Sequence, residues 1–504
     1  MTRFKNKLSE LFGTDLRSLA ILRIGIALII IIDLLFRFSD ITAFYSDEGV
    51  LPRKVYLDYF DNWYVSLNLI NGLPQIQALL FLITEIFAFL FLVGFHTRFI
   101  NIILWFLMTS INMRNQFILT GGDMLLTALL FWGMFLPLGA RFSIDSLIIN
   151  TKKLPKTICS LSTFAILFQI ALVYIFSAIN KIGPEWYKDG TAVYYALSME
   201  QYTTPIGNFI HQFPRFMKLL TFAIVWFQAL GPLLLFTPFF TGIIRTVTVF
   251  GFFIMQLGFG SCLTVGIFPF ITTVAICTFL PEWFWDKLAP KFYQVILARS
   301  SSQVSSISKH FEQSVLNNSF IKNINLRFPP KEISIKTSKI SGLIIVFFLV
   351  HIITWNIQSV EHFKYKMPDW WTRVGYMFCL HQKWLMFGSN TLKEDFWYVN
   401  PTKLKNGLFV DLFTGGKAIT WDKPKDLSGM YKNHRWKTYI RNLWSGSNIF
   451  YAPFGQYACN SWNKTHLEDS KIEEIEFYYA KEYTLPSYKY SKPTYGLMYK
   501  HKCY

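Results

Sequence analysis

A lysine that closes an apolar run is the first residue in this sequence with chemistry to offer. Lys181 ends the stretch LVYIFSAINK, and Gly183-Pro184, Trp186, Tyr187, Tyr194 and Tyr195 follow. An amine enclosed by aromatic side chains loses hydration, so its proton affinity falls and its neutral form becomes available as a base. At a plain membrane boundary the same lysine would extend its stem and leave the ammonium in water. Arg114-Asn115 and Gly121-Gly122-Asp123 flank one short loop. On the topology derived below, they converge with Trp186 and Tyr187 on one outer pocket that binds substrate. Glu85, in FLITEIFAFLFL, sits in mid-run, where a carboxyl must be protonated, paired or turned to a polar cavity. Arg23 lies near the start of the first run and reaches back to the interface. Asp33 and Arg37, four residues apart, stack on one helix face as an ion pair.

Other chemistries lack their signatures. The chain has no GxSxG, P-loop, HExxH or complete dinucleotide fingerprint. GFGSCLTVG (258–266) is glycine-spaced but lies in an apolar run, where close helix packing is the expected use. Of six cysteines, Cys159, Cys262 and Cys277 lie in apolar segments, while Cys379, Cys459 and Cys503 lie in the tail, where one disulfide can form. No CxxC occurs, so no metal is expected.

These residues must be positioned by elements that live in a membrane. The chain has 504 residues, of which 52% are apolar and 16% charged, against about 25% charged in ordinary soluble domains. Runs near the roughly 20 residues that span a bilayer occupy 18–38, 74–95, 99–115, 122–139, 158–181, 216–239, 243–260, 263–281 and 340–358. Gly258, Gly260 and Gly266 interrupt the pair around residue 260, leaving either two short passes or one pass and a re-entrant turn. With the N-terminus inside, the inner segments carry 19 Lys and Arg and the outer loops 7, the asymmetry that fixes orientation. The net charge of +18 is thereby read as topology signal rather than nucleic-acid binding.

The expected fold is an all-α polytopic membrane bundle of 8–9 transmembrane helices with a C-terminal β-rich extramembrane domain. Its divisions are a membrane domain (1–290), a Ser-rich cytoplasmic linker (291–339), a last transmembrane helix (340–358) and an extracytoplasmic domain (359–504). In the tail, FWYV (396–399) and LFVDLF (408–413) flank the turn signal Asn406-Gly407, and EIEFYYAKEY (474–483) is a further strand.

Several ordered stretches resemble the horizontally transferred transmembrane (HTTM) family, relatives of vitamin K-dependent γ-glutamyl carboxylase. They are RIGIALIIIIDLLFR (23–37), AFYSDEGVLPR (43–53), MRNQFILTGGDMLL (113–126), FWGMFLPLGARFSIDSL (131–147), FSAINKIGPEWYKDGTAVYYALSMEQ (176–201) and GIFPFITTVAICTFLPEWFWD (266–286). HQKWLMFGSNTLKEDFWYV (381–399) adds a patch in the tail. In the carboxylase a lysine deprotonates vitamin K hydroquinone, oxygen then generates a strong base, and carbon dioxide adds to a glutamate γ-carbon. The resemblance implies that Lys181 holds that lysine's place, with a reduced quinone, O2 and CO2 as co-reactants and no metal. It also aligns Gln256 with one family histidine and Thr120-Gly121-Gly122-Asp123 with another, so both histidines are replaced here. The reading is a quinol-linked, lyase-class enzyme modifying exported peptides, with the bilayer and such a peptide as partners. The alternative is a non-catalytic maturation factor or scaffold for an exported peptide or partner protein; transport through Glu85 and Lys181 ranks last. Abundant Lys, Ile, Asn and Phe suit an AT-rich genome, hence a bacterial inner membrane.

Overall fold

The computed structural model describes residues 2–60, 65–149, 154–290, 337–385, 388 and 393–503. The expected linker falls almost wholly in 291–336, outside the described residues. Helices stand at all nine expected positions: Leu16–Phe38, Pro74–Val93, Thr97–Arg114, Gly121–Gly133, Leu161–Ile179, Pro214–Leu235, Thr241–Cys262, Phe268–Ile276 and Lys339–Gln358. Six are long and apolar enough to cross a membrane by length and composition. The exceptions are Thr97–Arg114, Gly121–Gly133 and Phe268–Ile276. At 1.5 Å per residue, the 13 residues of Gly121–Gly133 rise about 20 Å, short of a bilayer core of about 30 Å. Nearly all of that helix is buried, so its neighbours, rather than lipid, satisfy its apolar surface.

The region around residue 260 holds two helices. The break falls at Leu263–Ile267, where Gly266 takes a left-handed φ of 68°. Gly258 and Gly260 lie within the preceding helix and do not break it, a correction to their expected role. At Gly260 an added Cβ would approach Pro269 to 3.2 Å, so the missing side chain there serves close helix approach.

Two polar ends bound the bundle. At one, Arg17 and Lys156 share Asp286 at 2.8 and 2.6 Å, Ser18 Oγ donates to the Leu280 carbonyl, and Ser162 meets Thr337. The N-terminal helix Thr2–Phe12 belongs to this end. Arg23 donates to the carbonyls of Phe91 and Leu92 here, so it is anchored to protein rather than extended to water.

The tail packs on the opposite end. Its long strand Ile472–Leu485 pairs antiparallel with Glu394–Val399, Pro401–Leu404, Lys489–Tyr490 and Thr494–Lys502, while Phe409–Asp411 extends the sheet beyond Pro401–Leu404. Asn406-Gly407 does turn a hairpin, but it joins Pro401–Leu404 to Phe409–Asp411. The FWYV strand instead pairs with residues 478–483. The tail also holds helices Asp369–Met377, His434–Ser445 and Tyr451–Asn463, so it is a mixed α/β layer rather than a β domain alone. A Cys459–Cys503 disulfide ties the last helix to the C-terminal strand.

Candidate functional site

Lys181 follows the C-cap of helix Leu161–Ile179, and Gly183-Pro184 starts the short turn Pro184–Tyr187 that carries Trp186. The side chain is 2% exposed. Its Nζ donates to the Ser177 carbonyl at 3.0 Å and to Ser177 Oγ at 2.9 Å. It also lies 5.0 Å from the centroid of the Trp186 ring. Neutral oxygens and a π face compensate an ammonium less than water does, and burial pushes this amine down to about 7. Asn180 holds the neighbouring turn, donating to the Phe176 carbonyl at 2.9 Å and the Trp384 carbonyl at 3.4 Å.

A cavity of about 730 Å³ opens beside this turn, between the bundle and the tail. Gly121, Met124, Phe268 and Trp355 supply its bundle wall, and Tyr376, His381, His434 and Arg441 its tail wall. Lys181 does not line it. Trp384 stands between them: its ring packs toward Phe268, and its carbonyl meets Asn180. Trp384 Nε1 donates to Gln382 at 2.9 Å, and Gln382 exchanges bonds with Gln169, so a buried polar strip fixes this partition. His381 Nδ1 and His434 Nε2 are buried without a hydrogen-bond partner among the described residues. Burial pushes both rings down to about 4, leaving them neutral at ordinary pH with a nitrogen unused.

The remaining expected site residues do not line this cavity. Arg114 spends its fork on the carbonyls of Tyr45, Ser46 and Leu51, each at 2.9 Å. Asn115 donates to the Phe44 carbonyl and accepts from Phe117 N. Both therefore staple the loop after the first spanning helix. Asp123 accepts from Thr120 N at 2.8 Å and from both Arg37 and Arg435. Asp33 is paired with Arg37, as the spacing foretold, and also with Arg435 at 2.6 Å. Gln256 donates to Tyr174 Oη at 3.3 Å within the bundle. Tyr187 is 43% exposed and packs edge-on to Trp226. Glu85 lies mid-helix with Oε1 buried and without a hydrogen bond among the described residues. Lys181 and Trp186 of the expected set meet through their side chains.

Arg435, His434 and Arg441, which the sequence reading passed over, come from one amphipathic helix. Tyr439, Ile440 and Leu443 are buried along the same face as Arg435, the i, i+4, i+5, i+8 pattern of a docking helix. That apolar stripe was the available signal.

No curated protein and no solved structure matches the chain. The HTTM domain model matches residues 13–283, which include every spanning helix before the linker as well as Lys181, Asp123 and, of the cavity's bundle wall, Gly121, Met124 and Phe268. With more than half of its length so matched, this chain belongs to the HTTM family.

Proposed function

We propose that this protein is a quinol-linked membrane enzyme that modifies exported peptides, with Lys181 as its base. The observation that carries this reading is a fully buried amine, eased toward neutrality near pH 7, at the end of the bundle covered by the tail. A base operating near its own pKa combines availability with driving force. Ser177 and Trp186 orient Nζ, and its neutral form accepts a proton from an acidic group brought against the turn. The Gln382–Trp384 strip lies between the cavity and the turn that carries that amine, and its displacement is the step that would open the cavity toward Lys181.

The co-reactant fits the cavity. Its volume lies within the roughly 300–1,000 Å³ of small-molecule sites, its walls are largely aromatic and aliphatic, and the orphaned nitrogens of His381 and His434 suit ring hydroxyls. A reduced quinone held there would supply, with O2, the strong base needed to carboxylate a peptide glutamate with CO2. Its absence of metal chemistry is part of the proposal, as is nine-pass topology. The loop charges and the tail disulfide, which needs an oxidising compartment, favour an inner-membrane protein with its tail outside.

One observation favours the second reading, a scaffold. Asp123, in the Thr120–Asp123 stretch that aligns with a family histidine, is consumed by Arg37 and Arg435 in fastening the tail. The two readings part in purified protein supplied with a reduced naphthoquinone, bicarbonate and an exported peptide. An enzyme consumes quinol with a rate that rises through about pH 7 and vanishes in Lys181→Met. A scaffold binds the peptide equally well with or without that lysine.

A further inference from the structure

The end of the bundle opposite the tail holds a second built site. Helix Thr241–Cys262 begins there with no side chain capping its first turn; Ile243 N and Ile244 N bond the Phe240 carbonyl, so among the described residues the N–H groups of Thr241 and Gly242 and the positive end of the dipole face an outside partner. Arg245, the fifth residue of the helix, is 2% exposed. It lines a cavity of about 650 Å³ together with Glu10, Gly13, Thr241, Gly242 and Trp283. Its Nη1 makes only long bonds, 3.3 Å each, to the carbonyls of Glu10 and Gly13. Its Nε and Nη2 are buried with no hydrogen-bond partner among the described residues. Its Cζ also lies 5.0 Å from the centroid of the Phe279 ring, a π contact that leaves the Nε and Nη2 hydrogens without an acceptor among the described residues and the charge short of the compensation that burial demands.

The carboxylates in the same wall do not supply it. Asp15 is held by Arg17 at 2.7 Å, Glu10 by Lys7 at 3.4 Å and Glu282 by Lys156 at 3.5 Å. The geometry points to a phosphate-bearing anion that completes Arg245 against the uncapped helix start. Arg forks and helix N-termini are the two commonest protein devices for phosphate. Phe239 and Phe240, at the mouth, are 72% and 81% exposed, and apolar rings at such a place suit acyl chains. The source favoured is therefore the headgroup of an anionic phospholipid rather than free phosphate.

Full-length protein in neutral detergent tests this. Thermal stability is followed on titration with phosphatidylglycerol, phosphatidylcholine or inorganic phosphate, and retained lipid is read by native mass spectrometry. Phosphatidylglycerol should stabilise and remain bound, phosphatidylcholine should not, and Arg245→Gln should weaken the effect roughly tenfold or more. Arg245→Lys should fall between, and Arg98→Gln, an exposed cation of the same end, should match wild type. Stabilisation by inorganic phosphate equal to that by phosphatidylglycerol would keep the site and assign it to soluble phosphate. Wild-type protein that responds alike to both lipids and not to phosphate overturns the proposal, whether or not the glutamine variant folds. So does an Arg245→Gln protein that folds and keeps the full response.

Discussion

Replacing Arg435 with Met should release the tail from the bundle. Asp33, Arg37, Asp123 and Arg435 are buried together, two carboxylates against two guanidiniums. Arg435 Nη2 alone reaches Asp33 at 2.6 Å and Asp123 at 3.0 Å, and Nη1 donates to the Ile118 carbonyl at 3.1 Å. Without Arg435 the cluster carries one uncompensated negative charge, a loss worth about 3–5 kcal/mol for a buried pair. At about 1.4 kcal/mol per factor of ten, tail opening becomes roughly 100- to several thousand-fold more frequent. Proteolysis reads that population directly when reclosing outpaces cleavage. The Arg435→Met tail should therefore be cut faster than wild type by two orders of magnitude or more at limiting protease. Adding Asp123→Asn should slow the cutting again, because it removes the orphaned charge, a non-additivity expected only of groups in one network. Equal cleavage of wild type and Arg435→Met, or simple additivity with Asp123→Asn, would refute the reasoning.

Acid should loosen the same joint: His381 and His434 sit near 4, below their ordinary 6.5. The undocked state then binds more protons between those values, and docking is lost as pH falls from about 6.5 to about 4. Burial raises Asp395 to about 6, which works in the opposite sense as pH falls below that value. The check is therefore the difference between wild type and His434→Asn, whose proteolysis profile should be flatter on the acid side. Arg114→Lys cannot serve three carbonyls with one fork, and should lower thermal stability by about 1–3 kcal/mol, the cost of stranding buried acceptors. For orientation, with Cys262 changed to Ser, an impermeant maleimide should label exposed Cys159 only in inverted vesicles. The Cys459–Cys503 pair should label only after reduction, from outside; labelling of Cys159 in intact cells would reverse the topology.

Much of the fold was legible because bilayer physics is written locally. Every apolar run became a helix, and the Asp33–Arg37 spacing gave its ion pair. The shorter helices escaped exact counting because their burial depends on neighbours, which a hydropathy window does not see. Gly258 and Gly260 misled because a glycine that breaks a helix and one that lets two helices touch look alike in sequence. The site was less legible. Lys181 and Trp186 are five residues apart and meet across a Pro turn, so their contact is local. Arg435 meets Asp33 and Asp123 from hundreds of residues away, and nothing in one sequence marks that pairing. Arg114 and Asn115 had the residue types of a binding site, but their partners are backbone carbonyls, which no side-chain pattern reveals.

Intact-mass analysis of exported peptides, from cells carrying wild-type or Lys181→Met protein, tests the central claim most directly. A gain of about 44 Da per carboxylated glutamate is expected in the wild type and none in the variant, with both proteins equally abundant in the membrane. Peptides of identical, unmodified mass in the two strains, though still dependent on the protein for export, would contradict it.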